Sequence, residues 1–268
     1  MDSGKEQRRQ QHHLVLVHGA CHGAWCWYKV ATVLSSAGHR VTALDMAACG
    51  ASPQRTEEVP SFEEYSRPLL DVLAGLPPEE KAILVGHSFG GLSLALAMER
   101  NPDKVAVAVF VAAPMPAAGK PMDVVFQQQD SQAKEERPVD VFMDCKMETS
   151  SPLQIFMFGP QFMKKNLYQL SPPEDLTLAV AMVRRSRRFQ DDAMLTQAVL
   201  TAERYGAVKK VCIVAEDDAL LSVDIRRQMA SWNPGTEVMV LPGADHMPMF
   251  SKARELSQLI MEIAHKYT

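Results

Sequence analysis

Gly86-His87-Ser88-Phe89-Gly90 sets a serine between two glycines, and its flanks give that spacing a meaning. Ala82-Ile83-Leu84-Val85 before it is a short apolar run that reads as a buried strand. Gly91 to Arg100 after it reads as a helix, stopped at Asn101-Pro102. A strand, a sharp glycine-flanked turn and a helix push a serine Oγ into the open. The helix N-terminus adds a positive dipole where negative charge would develop. A serine hydroxyl is a poor nucleophile unless a base takes its proton and an acid orients that base. For a serine in this setting the partners are expected in the order Ser, acid, His. His246, in Gly243-Ala244-Asp245-His246-Met247, lies just after the last predicted strand and is the expected base. His18 and His22 precede the serine, against that order, and His87 is adjacent to it, so its ring should point away.

Glu216-Asp217-Asp218 follows a predicted strand directly. Asp217 is the expected acid, with Asp218 second. Asp245 is too close in sequence to lie along the His246 ring, and Asp224 belongs to the following helix. Ester cleavage also needs two N–H donors for the oxyanion. One is expected from Phe89, the residue after the serine. The other is expected from the loop after the first strand, His18-Gly19-Ala20, with Ala20 N–H the choice.

The elements that must position these groups alternate. Strands are predicted at 14–17, 39–45, 82–85, 105–112, 210–215 and 236–241. Helices are predicted at 25–37, from a Ser61/Glu64 capping box to about Leu76, at 91–100, near 223–232 and at 251–267. Alternation at this rhythm means a parallel sheet covered on both faces. The rhythm breaks between Pro114 and about Tyr205, where no core strand is evident. That stretch is expected to be a helical cap inserted between two sheet strands, able to close over a site. Residues 12–113 and 206–268 would form the core, and the polar residues 1–11 a disordered tail. Within the cap, Phe142 and Met143 are expected near substrate, joined by Met247 from the histidine loop.

Composition narrows the class. With 268 residues and a net charge of −4, the chain offers one substantial α/β domain and no case for nucleic acid. Arg184-Arg185 and Arg187-Arg188 read as a solvated helix end. Five cysteines without metal spacing suggest reduced thiols. No apolar run approaches a membrane span, and the polar start is no signal peptide. A cytoplasmic protein without membrane contact is the expectation.

Several stretches are similar to the plant methylesterase family. They are His18-Gly19-Ala20-Cys21-His22-Gly23-Ala24-Trp25-Cys26-Trp27-Tyr28, Leu44 to Gly50, Phe62-Glu63-Glu64-Tyr65, Gly86 to Gly91, Ser171 to Leu176, Glu216-Asp217 and Gly243 to Met247. The resemblance runs over about residues 13 to 267. It implies an α/β hydrolase fold, a mostly parallel, six-stranded doubly wound sheet with an inserted helical cap. It further implies a triad on Ser88, Asp217 and His246, and no metal or other cofactor. Partners would be an apolar methyl ester and its carboxylic acid product. Members of the family are often homodimers. They include esterases of methyl salicylate, methyl jasmonate and methyl indole-acetate, and also hydroxynitrile lyases. The lyases carry a Lys directly after the catalytic His and a Thr directly after the first-loop His, where this chain has Met247 and Gly19. Esterase is therefore the leading expectation. A lyase, or a hormone-binding protein with incidental turnover, is the alternative. Cys49 departs from the serine usual in the family, and residues 127–155 are shorter and more polar than expected of its cap.

Overall fold

In a computed structural model, residues 11–127, 143–148 and 153–268 are described. All of the expected tail except Gln11 lies outside them.

Six strands form one parallel sheet: β1 (His13–Val17), β2 (Arg40–Leu44), β3 (Ala82–His87), β4 (Val105–Val111), β8 (Lys209–Ala215) and β9 (Glu237–Leu241). Their order across the sheet is β2-β1-β3-β4-β8-β9, every neighbouring pair running parallel. The four inner strands are apolar almost throughout because both of their faces are covered. Alternation along each strand splits the side chains into two cores. Val15, Leu84, Phe110 and Val214 enter the core under helix Gly90–Arg100, whereas Leu14, Val85, Val109 and Ile213 enter the one under helices Tyr28–Ser36 and Ala253–Tyr267. Helix Gly90–Arg100 is buried from Gly90 to Met98, which places the residues at its start inside the molecule.

Parallel strands bring their carboxyl ends to one edge, the usual place for a ligand in such sheets. The turns after Val17, His87, Ala215 and Leu241 all lie there.

The chain leaves the sheet after β4 and rejoins it at β8. The inserted segment differs from the helical expectation in one respect. Besides helix Pro173–Met182 it contains a three-stranded antiparallel sheet, β5 (Lys146–Glu148), β6 (Ile155–Met157) and β7 (Ser186–Arg187), in the order β5-β6-β7. Strands of two or three residues are too short to print a period-2 pattern.

Arg184 and Arg187, read from sequence as a solvated helix end, instead fasten this segment to the core. The Arg184 guanidinium donates to the carbonyls of Gly50 (2.9 Å), Ser52 (2.6 Å) and Gln54 (2.9 Å). Arg187, 6% exposed, donates to those of Val59 and Pro60. Asp175, buried, takes the Tyr28 hydroxyl at 3.0 Å and Lys29 Nζ at 2.5 Å. Asp192 accepts from the Phe62 N–H at 2.9 Å.

Candidate active site

Ser88 follows β3 directly with φ at +49°, the left-handed region that L side chains avoid. The turn is closed by the Ser88 N–H, which donates to Val111 O, and by the Gly91 N–H, which donates to Ser88 O. It can be this tight because Gly90 has no side chain: a Cβ there would stand 2.7 Å from His18 O. Ser88 and Phe89 are partly exposed in an otherwise buried stretch.

Across the opening, Ser88 Oγ lies 3.1 Å from His246 Nε2. His246 Nδ1 lies 2.9 Å from Asp218 Oδ2. Here the structure corrects the expected acid. Asp217 points to solvent: its N–H donates to Ala244 O and its carbonyl accepts from Gln169 Nε2, so only its backbone joins the site. The cause is the turn. Glu216 and Asp217 continue the pairing toward the Leu241–Ala244 segment, and the chain then folds inward at Asp218. Asp218 Oδ1 accepts the N–H groups of Leu220 (2.8 Å) and Leu221 (3.3 Å), an Asx-type turn that locks the carboxylate inside. Arg226, from helix Val223–Ser231, adds Nη2 at 2.5 Å to Oδ2. Burial pushes this carboxyl up. His246 and Arg226 outweigh that and hold it well below the ordinary aspartate value.

Three buried histidines set aside from the sequence, His18 and His22 by order and His87 by its adjacency to the serine, prove to be scaffolding. His18 Nδ1–H donates to Gly19 O at 2.7 Å while its Nε2 accepts the Met46 N–H at 3.1 Å. Gly19 C=O and Ala20 N–H belong to one planar trans peptide and point opposite ways. Fixing the carbonyl therefore aims the Ala20 N–H. His22 Nδ1–H holds Ala20 O at 2.8 Å, and its Nε2 accepts from the Tyr168 hydroxyl at 2.7 Å. His87 Nε2–H donates to the backbone carbonyl of His246 at 2.7 Å and fixes that loop. Among the described residues, neither Ala20 N–H nor Phe89 N–H donates to a protein acceptor.

Burial lowers His18 and His22 to about 4, and His87 well below the usual histidine value. Each is neutral when folded and free to protonate when unfolded. The unfolded chain thus binds more protons below about pH 6.5, and stability is lost as pH falls from there toward 4. For His18 and His22 the loss is about 1.4 kcal/mol per pH unit each. Urea unfolding between pH 7 and pH 5 is expected to show this decline; a flat profile would contradict neutral burial.

Asp245 is fully buried and accepts from Leu170 N–H, Ser171 Oγ, Met247 N–H and Ser251 Oγ, tying the histidine loop to the inserted segment. Of the residues expected near substrate, Gly19 does face the serine: a Cβ on it would lie 2.8 Å from Ser88 Cβ and 3.0 Å from His87 Nδ1. Met143 is partly buried, its sulfur 3.8 Å from Asn166 Nδ2. Met247 is wholly buried in the core cluster shared with Phe162, Met163 and Tyr168. Phe142 lies outside the described residues. Among the described residues no group of His, Cys, Asp and Glu could hold a metal, and no helix is long and apolar enough to cross a membrane.

A hydroxyl, an imidazole and a carboxylate in hydrogen-bonded series can pass a proton from oxygen to nitrogen. Ester cleavage by such a series needs N–H donors for the oxyanion. Comparison with known proteins places the chain in a family. Residues 14–259 match the alpha/beta hydrolase family. The chain is 52% identical to a rice protein (Oryza sativa subsp. indica) named Probable esterase PIR7A, covering 95% of this chain and 97% of that one. It is 45% identical to Methyl jasmonate esterase 1 of Vitis vinifera, covering 97% and 99%. The crystal structure of polyneuridine aldehyde esterase superposes with a TM-score of 0.88 at 39% identity, over 95% of this chain and 100% of that one.

Proposed function

Because the chain belongs to the alpha/beta hydrolase family, among plant methylesterases, and is a carboxylic-ester hydrolase, we propose that it hydrolyses methyl esters of small plant hormones through an acyl-enzyme on Ser88. The observation that carries this reading is the unbroken series Ser88 Oγ, His246, Asp218, with Ser88 partly exposed beside two undirected N–H groups.

In this mechanism His246 Nε2 takes the Ser88 proton as Oγ attacks the ester carbonyl. Asp218 keeps the remaining imidazole proton on Nδ1 and stabilises the imidazolium. The carbonyl oxygen becomes an oxyanion held by the N–H groups of Ala20 and Phe89, each worth about 10²–10³ in rate. His246 then returns the proton to the departing methoxide, and methanol leaves. Water, activated by the same imidazole, cleaves the acyl-enzyme and frees the carboxylic acid. The inserted segment acts as a cap that shapes the acyl pocket, with Met143 on the acyl side. Methyl salicylate, methyl jasmonate and methyl indole-acetate are the candidate substrates. The grape relative's name, which specifies methyl jasmonate, supports this class.

The same residues argue against cyanohydrin cleavage. Developing cyanide needs a cation or donor, and the Met247 thioether offers neither. A threonine hydroxyl is absent at Gly19, where even a Cβ would crowd Ser88. The purified protein is expected to release methanol from at least one of the three methyl esters and no cyanide from mandelonitrile or acetone cyanohydrin. Cyanide release outpacing every methyl ester would overturn the reading. Tight binding of salicylate or jasmonate with negligible turnover of their esters would point to a receptor instead.

A further inference from the structure

Helix Val223–Ser231 folds back over the Asp218 turn and brings Arg226 in from its first turn. The Arg226 side chain is 2% exposed and that of Asp218 is fully buried. Burying a guanidinium is costly unless it is paired and its N–H groups are satisfied. Arg226 meets only part of that condition. Nη2 reaches Asp218 Oδ2, while Nε and Nη1 have no hydrogen-bond partner among the described residues. Among the described residues its one ionic contact is with Asp218, and it falls on the oxygen that also accepts His246 Nδ1–H.

The remaining groups around this pair leave Arg226 a distinct part. His87, on β3, lies 5.0 Å from the His246 ring, centroid to centroid, and is neutral. His22, from the loop after β1, is neutral as well. Cys212, on β8 near Arg226, is an uncharged thiol pushed up to about 11 by burial. Asp245 turns its carboxylate to Leu170, Ser171, Met247 and Ser251. Two cations bear on Asp218, His246 and Arg226, and in a serine-esterase cycle only one is permanent. While His246 is neutral, waiting to take the serine proton, it gives Asp218 a single N–H bond and no charge. With no permanent cation beside it, this carboxylate would keep only the N–H donors of Leu220, Leu221 and His246 to set against its burial, which favours the protonated form. That acid would donate a hydrogen bond to a bare Nδ1, in the ring tautomer whose hydrogen sits on Nε2, where it blocks transfer from Ser88.

We propose that Arg226 is a positioning residue: a permanent counter-ion that keeps Asp218 ionised while His246 is neutral, and so keeps Nε2 free to accept the Ser88 proton. This rests on the proposed roles of Ser88, His246 and Asp218.

The test compares Arg226→Met and Arg226→Lys with the wild-type protein on a methyl ester that it cleaves. Arg226→Met is expected to lower kcat about 10- to 100-fold, short of the ~10⁴-fold associated with outright loss of the tautomer, with KM within about twofold. Arg226→Lys, which keeps the charge, should recover most of the loss. In an Asp218→Asn background, Arg226→Met should cost nothing more, because no carboxylate remains to be held. An equal fold-loss in both backgrounds, or a raised KM with kcat kept, would overturn the proposal. If Arg226→Met fails to fold, Arg226→Gln, which keeps N–H donors but no charge, takes its place: the same kcat loss with KM kept is expected, and wild-type kcat in it overturns the proposal. Failure of the underlying triad would look different, because Ser88→Ala would then retain activity.

Discussion

Ser88→Ala should abolish methyl-ester hydrolysis, with kcat falling about 10⁵–10⁶-fold, the scale seen when a triad nucleophile is deleted. The size follows from the geometry. Ser88 Oγ is the hydroxyl that faces His246 Nε2, and the strained turn presents it where helix Gly90–Arg100 begins. Alanine suffers no more than serine from the positive φ, and the side-chain hydrogen bond it removes is the one to His246. The fold should survive, with a thermal midpoint within a few degrees of wild type, so the loss is chemical. Turnover is read as methanol or acid released from a methyl ester, with the oligomeric state and circular dichroism checked alongside. An alanine variant that keeps a substantial fraction of wild-type kcat would remove Ser88 from the mechanism.

Asp218→Asn should lower kcat about 10⁴-fold, whereas Asp217→Asn should stay within about twofold of wild type. An asparagine amide toward Nδ1 favours the tautomer with hydrogen on Nε2, which cannot take a proton from serine. The same change leaves the buried Arg226 guanidinium without its anion, a loss of about 3–5 kcal/mol in comparable buried pairs. Asp218→Asn should therefore also unfold at lower denaturant concentration. Asp217 contributes only backbone groups to the site and its side chain is solvated, so neither activity nor stability should move much. If the two variants exchanged behaviour, the turn after β8 would have to run in the opposite sense.

The difference between those two aspartates shows where sequence stops being informative. The four inner strands declare themselves as apolar runs, the serine turn by its glycines, and His246 by its place after the last strand. Each of these is a local pattern. Which carboxylate of Glu216-Asp217-Asp218 faces inward is settled by pairing with the Leu241–Ala244 segment and by the N–H groups of Leu220 and Leu221, and no local pattern records either. Asp-x-Leu with an arginine eight residues on was the available signal, visible only once the turn and the helix are placed together. His18 and His22 were legible as residues but not as tautomers, because their partners are a backbone carbonyl and a distant group each. Arg184 and Arg187 look solvated in sequence because the core carbonyls they reach lie some 130 positions away.

Those arginines bear on how a ligand is admitted. Arg184, Arg187, Asp175 and Asp192 each bridge the inserted segment and the core, and Asp245 adds a clasp from the histidine loop. Swinging the segment away as a unit would break these bonds together, with buried carboxylates and guanidinium groups left to find water. A hinged lid divides a protein between open and closed populations, and its apparent affinity is lowered by the fraction that is not competent. A segment bolted at this many points avoids that division. Its contribution to selectivity lies in the standing shape of its wall, so discrimination among acyl groups should register in which molecules fit rather than in how readily the protein closes around them.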